Sequence, residues 1–157
     1  MVPQAKLLLD SVTGSGSATN GGTFTSANID TFEVEKLVSI DIAATTQSAS
    51  TQAGSPSLLK LQESDTTVAS TFVDVVGFRG GSAAATVVDF VIGIGKTAGS
   101  NSYKMNVNVA GSARKRYLNV VASPTTSQTF IVTANGFRLR QTPNTPAKAG
   151  VLNLVEG

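Results

Sequence analysis

Apolar residues recur at every second position along most of this chain. Tyr103, Met105, Val107 and Val109 alternate with Lys104, Asn106 and Asn108, the pattern of a strand with one buried and one wet face. The same period runs through Val38, Ile40 and Ile42, through Leu59 and Leu61, and through Val88, Phe90, Ile92 and Ile94. It returns in Arg116, Leu118 and Val120 and in Phe130, Val132 and Ala134. Around 72–76 it puts Phe72, Asp74 and Val76 on one face and Val73 and Val75 on the other. An opening strand falls near 6–11. These runs are rich in Val, Ile, Phe and Thr, which fit a pleated, half-buried surface. No stretch combines a 3.6-residue period with a cap and a length of ten or more, so no helix is expected.

Turn formers punctuate the runs: Gly54-Ser55-Pro56, Gly80-Gly81-Ser82, Gly99-Ser100-Asn101, Gly111-Ser112 and Ser123-Pro124. Short strands at this spacing predict an all-β sandwich or barrel of about eight antiparallel strands. Asn135-Gly136 is either a two-residue hairpin turn or a bulge inside one long strand over 128–140. Phe137 and Leu139 keep the alternation, which favours the bulge. Residues 11–28 are almost wholly Ser, Thr, Gly, Ala and Asn and read as a loop. The sandwich is therefore expected over 1–140, with an extended arm at 141–157. The prolines at 143 and 146 stiffen the arm. Its apolar end, Val151, Leu152 and Leu154, either folds back on the domain or packs on a neighbour.

Composition changes this picture in three ways. First, 157 residues make one domain, and only 14% are charged against a usual ~25%. Either partners cover much of the surface or Ser, Thr and Asn supply it. Second, there is no Cys, His or Trp. Thiol chemistry and disulfides are excluded, and so is the side chain best suited to acid–base work near neutrality. Third, no apolar run approaches the ~20 residues of a membrane span. Residues 1–9 lack the layout of a secretory signal, so synthesis in the cytoplasm is expected. Net charge is +2, but residues 1–78 hold three Lys and eight acids while 79–157 hold nine Lys or Arg and two acids. If that split survives in space, it favours self-association by charge complementarity.

Candidate chemistry is sparse. Gly95-Lys96-Thr97 ends like a phosphate-binding loop, but the glycine required five positions earlier is Phe90, and turn residues follow in place of a helix. Glu33 with Glu35, and Glu63 with Asp65, are carboxylate pairs spaced for one strand face, yet no Trp supplies a sugar platform. The sharpest charge cluster is Arg114-Lys115-Arg116 beside Tyr117, with Arg138 and Arg140 further on. On a strand only Arg114 and Arg116 would share a face, too little for nucleic acid. The bland reading is ion pairing to acids on another strand. No catalysis, cofactor or metal is expected.

Five motifs in order carry a resemblance: Ile29-Asp30-Thr31-Phe32-Glu33, Lys60-Leu61-Gln62-Glu63-Ser64-Asp65, Phe72-Val73-Asp74-Val75, Arg114-Lys115-Arg116-Tyr117-Leu118, and Gly136-Phe137-Arg138 with Pro143. With them the chain resembles the jelly-roll cement, or decoration, proteins of tailed-phage heads. It has a longer insert at 43–57 and a longer tail than that pattern. The resemblance implies a jelly roll clamped to the outside of a virion capsid, binding the major capsid protein as a dimer or trimer, with neither nucleic acid nor membrane as partner. Arg114, Arg116, Tyr117, Arg138, Arg140, Val151, Leu152 and Leu154 are the candidate contacts. The competing expectation is a carbohydrate- or receptor-binding module of a phage tail or fibre.

Overall fold

The computed structural model describes residues 6–7, 14–19, 22–32, 34, 37–46, 56–81, 89–92, 100–110, 113–124, 127–137 and 153–156. They form two sheets that enclose one apolar core. The first carries β1 (Lys6–Leu7), β2 (Gly14–Ala18), β5 (Leu37–Thr46), β9 (Ser100–Asn108), β11 (Gln128–Phe137) and β12 (Asn153–Glu156). The second carries β3 (Phe24–Thr25), β4 (Ile29–Asp30), β6 (Leu58–Ser64), β7 (Val73–Gly81), β8 (Phe90–Val91) and β10 (Tyr117–Ser123). A 3-10 turn lies at Ala69–Thr71. The all-β sandwich expected from the alternation is what the chain forms.

Pairing is nested. β1 and β2 pair with β11, β3 and β4 with β10, β5 with β9, and β6 with β7, all antiparallel. Early strands of the sequence thus meet late ones and β6 meets β7 at the centre, while β8 and β12 stand outside the nesting and add in parallel to β7 and β9. β11 then joins β5, and β10 joins β6, which knits the nested pairs into two sheets. The described residues form twelve strand segments against the expected eight, and β2, β3, β4 and β12 are the four additions. Two of these, β3 and β4, lie along one strand, β10, with a gap between them. Ser26 bridges the gap: its N–H donates to the Val120 carbonyl at 2.9 Å, and its hydroxyl oxygen accepts from Val120 N–H at 2.9 Å. The ladder on β10 thus continues from β3 to β4 across a residue outside either strand.

The core follows the sequence period closely. Val38, Ile40 and Ile42 on β5, Tyr103, Met105 and Val107 on β9, and Phe130, Val132 and Ala134 on β11 are all buried. From the second sheet come Leu59, Leu61, Leu118, Val120, Phe78 and Phe24. Phe24 and Phe130 stack across the two layers, with centroids 5.2 Å apart.

Three expectations are corrected. Residues 11–28 are not simply a loop, because Gly14–Ala18 pairs with β11 over five residues. The small side chains that looked like loop composition are there for packing: a Cβ on Gly16 would sit 2.9 Å from the Phe24 ring. Asn135-Gly136 makes neither a turn nor a bulge, since Gly136 and Phe137 pair in continuous register with Val38 and Leu37. In β7 the expected faces fail. Lys60 pairs with Arg79 and Gln62 with Asp74, so Val75 to Phe78 all stand against Leu61. Gly77 turns this bulge at φ 91°, a left-handed value that glycine adopts without steric cost. The bulge buries both Val75 and Phe78, three apart, and leaves Val73 and Val76 exposed.

The arm at 141–157 is described only at its end, where β12 runs parallel to β9 and Val155 packs against the core. Of the two fates open to that apolar end, residues 153–156 take the first: they fold back on the domain. Deleting residues 144–157 therefore removes a strand of the sheet.

Candidate functional site

β10 is preceded by an irregular turn, 113–116, and flanked by β4 and β6. Those three segments build an open cleft of about 690 Å³ lined by Thr31, Phe32, Val34, Glu63, Asp65, Val109, Ala113, Arg114, Lys115 and Arg116. Register sets the meeting. Tyr117 lies opposite Asp30 on one side and Ser64 on the other, and Leu118 lies between Ile29 and Glu63.

Arg116 is the best-held cation. Its Nε and Nη2 donate to the two Asp30 carboxylate oxygens at 2.9 and 2.7 Å, a two-pronged contact stronger than a single one. Its guanidinium also lies over the Phe32 ring at 4.8 Å and the Tyr117 ring at 5.0 Å. Its carbonyl accepts from both the N–H and the hydroxyl of Thr31, at 2.9 and 2.8 Å. That fixes the 29–32 segment against the turn and leaves Phe32 75% exposed at the rim.

The acids of β6 meet the same turn. Glu63 accepts from Lys115 N–H at 3.2 Å, and Lys115 Nζ lies 3.7 Å from Asp65. The bland reading of the basic cluster is thus correct for Arg116 and Lys115. The expectation that alternation separates Arg114 and Arg116 from Lys115 is not met: all three precede the strand, so all three line the cleft.

Arg114 differs from its neighbours. Its guanidinium lies 5.9 Å from the Phe78 ring, and Nη1 donates only to the Ala113 carbonyl, at 3.3 Å. Its Nε is buried with no hydrogen-bond acceptor, and no carboxylate pairs with it among the described residues.

Charge pairing elsewhere answers the split along the sequence. Asp30–Arg116, Asp41–Lys104 and Asp65–Lys115 each join the acidic half to the basic half. Strands of the two halves interleave in both sheets, which brings these opposite charges together. The edge segments are also short, which blunts edge-to-edge pairing.

Three carboxyls are held below their ordinary range. For Asp30 the Arg116 hydrogen bonds dominate, opposed by partial burial and helped by Phe32 N–H. For Asp74, burial raises the value and hydrogen bonds from Lys60 and Gln62 more than offset it. For Asp89 the Arg79 guanidinium dominates, with further N–H donors from Arg79 and Gly77 closing the β7 bulge. A depressed folded value means stability that is present above the unfolded carboxyl range, ~3.9, and is lost as pH falls through the folded values. The melting temperature should therefore hold between about pH 5 and 7 and fall progressively below about pH 4. Asp89→Asn should make that fall shallower. A melting temperature unchanged down to pH 2 would contradict these assignments.

Of the other sequence-level candidates, Arg138, Arg140, Val151 and Leu152 lie outside the described residues, as do Glu33, Glu35 and 93–99. Leu154 pairs in β12 beside Lys104. No cluster of three metal-ligating side chains occurs among the described residues, and no helix there is long and apolar enough to cross a membrane. Sequence reasoning missed Phe32 as a rim residue. The available signal was its isolation: a large aromatic between Asp30, Thr31 and Glu33, off any alternating run.

The fold and cleft define an all-β sandwich with an arginine–aromatic rim. The chain matches no protein-family model and no curated protein.

Proposed function

We propose that this chain is a cement or decoration protein of a tailed-phage head, binding the outer surface of the major capsid protein and stabilising contacts between its subunits. One observation carries the reading. Four of the five motifs behind the resemblance fall on or beside neighbouring strands, β4, β10, β6 and β7, and three of those four contribute residues to the cleft. Their collinearity in sequence thus has a spatial counterpart. The largely nested strand order supports a jelly-roll winding, the architecture the resemblance implies.

The chemistry of the rim fits protein recognition. Arginine and exposed aromatics are enriched at interface hot spots. Stacked beside each other, Arg116 and Phe32 present a rigid surface that loses little freedom on binding. Nucleic acid is disfavoured because Asp30, Glu63 and Asp65 sit among the cations. A sugar platform is disfavoured because the Arg116 guanidinium covers one face of Phe32. Assembly as a dimer or trimer belongs to the same reading.

The test is co-sedimentation with expanded capsids that lack the protein. Binding at micromolar concentration or below is expected, weakened at least tenfold in Phe32→Ser. Wild-type protein left in the supernatant at that concentration would overturn the proposal.

A further inference from the structure

We infer that the cleft beneath Phe32 is a docking site for an acidic segment of a partner protein, with a partner carboxylate taken by Arg114. The inference rests on the proposed function only for the partner's identity; the chemistry stands on the cleft itself.

Consider each charge in the cleft. Arg116 is satisfied by Asp30, and Lys115 lies against Asp65. Glu63 is occupied by the Lys115 N–H. Among the described residues that leaves Arg114 as the one cation lining the cleft that has no acid, with a buried Nε lacking any acceptor. A charged donor left unmade inside a protein costs more than a neutral one. A carboxylate entering the cleft, met by a small rotation of the Arg114 side chain, would satisfy Nε and one Nη together. Two parallel N–H···O bonds of this type are the strongest that arginine makes. The acids at the mouth set the selectivity. A phosphate chain would meet Glu63 and Asp65 at every step, whereas a peptide carboxylate can be single, spaced by apolar residues. Val34 and Val109 are buried in the lining and Phe32 is exposed at the rim. They give those apolar side chains a surface. The expected ligand is thus an extended segment with a Glu or Asp next to a Leu-like residue.

The probe is an acetylated octapeptide of alternating Leu and Glu, with Leu–Lys and Leu–Gln octapeptides as controls, titrated into the full chain by ¹⁵N NMR. The Leu–Glu peptide should shift the Arg114 Nε–H resonance and the backbone amides of 31–34 and 113–116, and saturate. The controls should bind at least tenfold more weakly, since a charge-assisted bidentate contact accounts for about that factor or more. Arg114→Gln should lose at least tenfold in affinity for the Leu–Glu peptide. Phe32→Ser, altered at an exposed site, should also weaken binding if Arg114→Gln proves unstable. Shifts confined elsewhere, equal binding of the Lys peptide, or an affinity unchanged in both variants would overturn the inference. Saturable shifts of the same amides by an oligothymidine in place of the peptide would overturn it too. The two proposals separate cleanly. Peptide binding without capsid binding leaves this site standing and removes the capsid reading. Capsid binding that is equal in wild type and Arg114→Gln, with no peptide binding, does the reverse.

Discussion

Phe130→Ala should cost about 3–5 kcal/mol of folding free energy, the range for emptying a buried aromatic site. Domains of this size have only ~5–15 kcal/mol to lose, so the variant should be marginal at room temperature. Phe130 is fully buried near the start of β11, the strand that binds β1, β2 and β5 together. Its ring stacks on Phe24 from the opposite sheet, and Phe24 in turn lies against Gly16 of β2. Removing the ring unseats contacts on three strands, and the covering strand is glycine-rich and cannot fill the space. Urea unfolding followed by far-UV circular dichroism measures the effect. The midpoint should fall sharply with little change in slope. Ile131→Ala, one residue on and exposed on the other face, should stay within about 1 kcal/mol. A loss below about 1 kcal/mol at Phe130 would mean that the two layers are not held through this pair.

Gly80→Ala should cost about 2–3 kcal/mol, by overpacking rather than by a cavity. An added Cβ would lie 2.4 and 2.5 Å from two Phe90 ring atoms and 2.7 Å from the Leu59 carbonyl oxygen. The ring can move aside, but the carbonyl is main chain within the Leu59–Gly80 pair of β6 and β7. Relief therefore needs a break in that ladder or the loss of β8, which joins β7 through Gly80 and Phe90. Gly77→Ala makes an informative contrast. No atom lies within 4 Å of its added Cβ, so only the left-handed backbone is penalised, at roughly 1–2 kcal/mol. Equal costs at both positions, measured by the same urea titration, would contradict this assignment.

How far the sequence announced this depends on the element. β5, β9 and β11 were legible because each is long and half buried. Their period-two pattern reports burial directly, and Ile40, Met105 and Phe130 fall where it puts them. β2 was not legible. Gly14, Ser15, Gly16 and Ser17 carry no apolar period because Ser15 and Ser17 are exposed, while the Ser26–Ala27 segment and the Phe24 ring take the space that side chains at Gly14 and Gly16 would fill. The faces of β7 were misassigned because a four-residue bulge resets the period, and one glycine gives little warning of that. At the cleft, the basic turn and Tyr117 stand out in sequence. The acid that holds Arg116, Asp30, was not legible, since its place beside β10 is a property of the nested pairing. The unpaired state of Arg114 was invisible for the same reason. It depends on where every other charge has gone.

On the proposed function, this sandwich binds a phage capsid through the face bearing the Phe32–Arg116 rim. A cryo-electron microscopy reconstruction of capsids with and without the added protein tests it most directly. The account predicts extra density on the outer capsid surface, fitted by the two-sheet sandwich with residues 29–34 and 113–117 against the capsid protein. Identical maps, or density in which that rim faces solvent while another surface makes the contact, would contradict it.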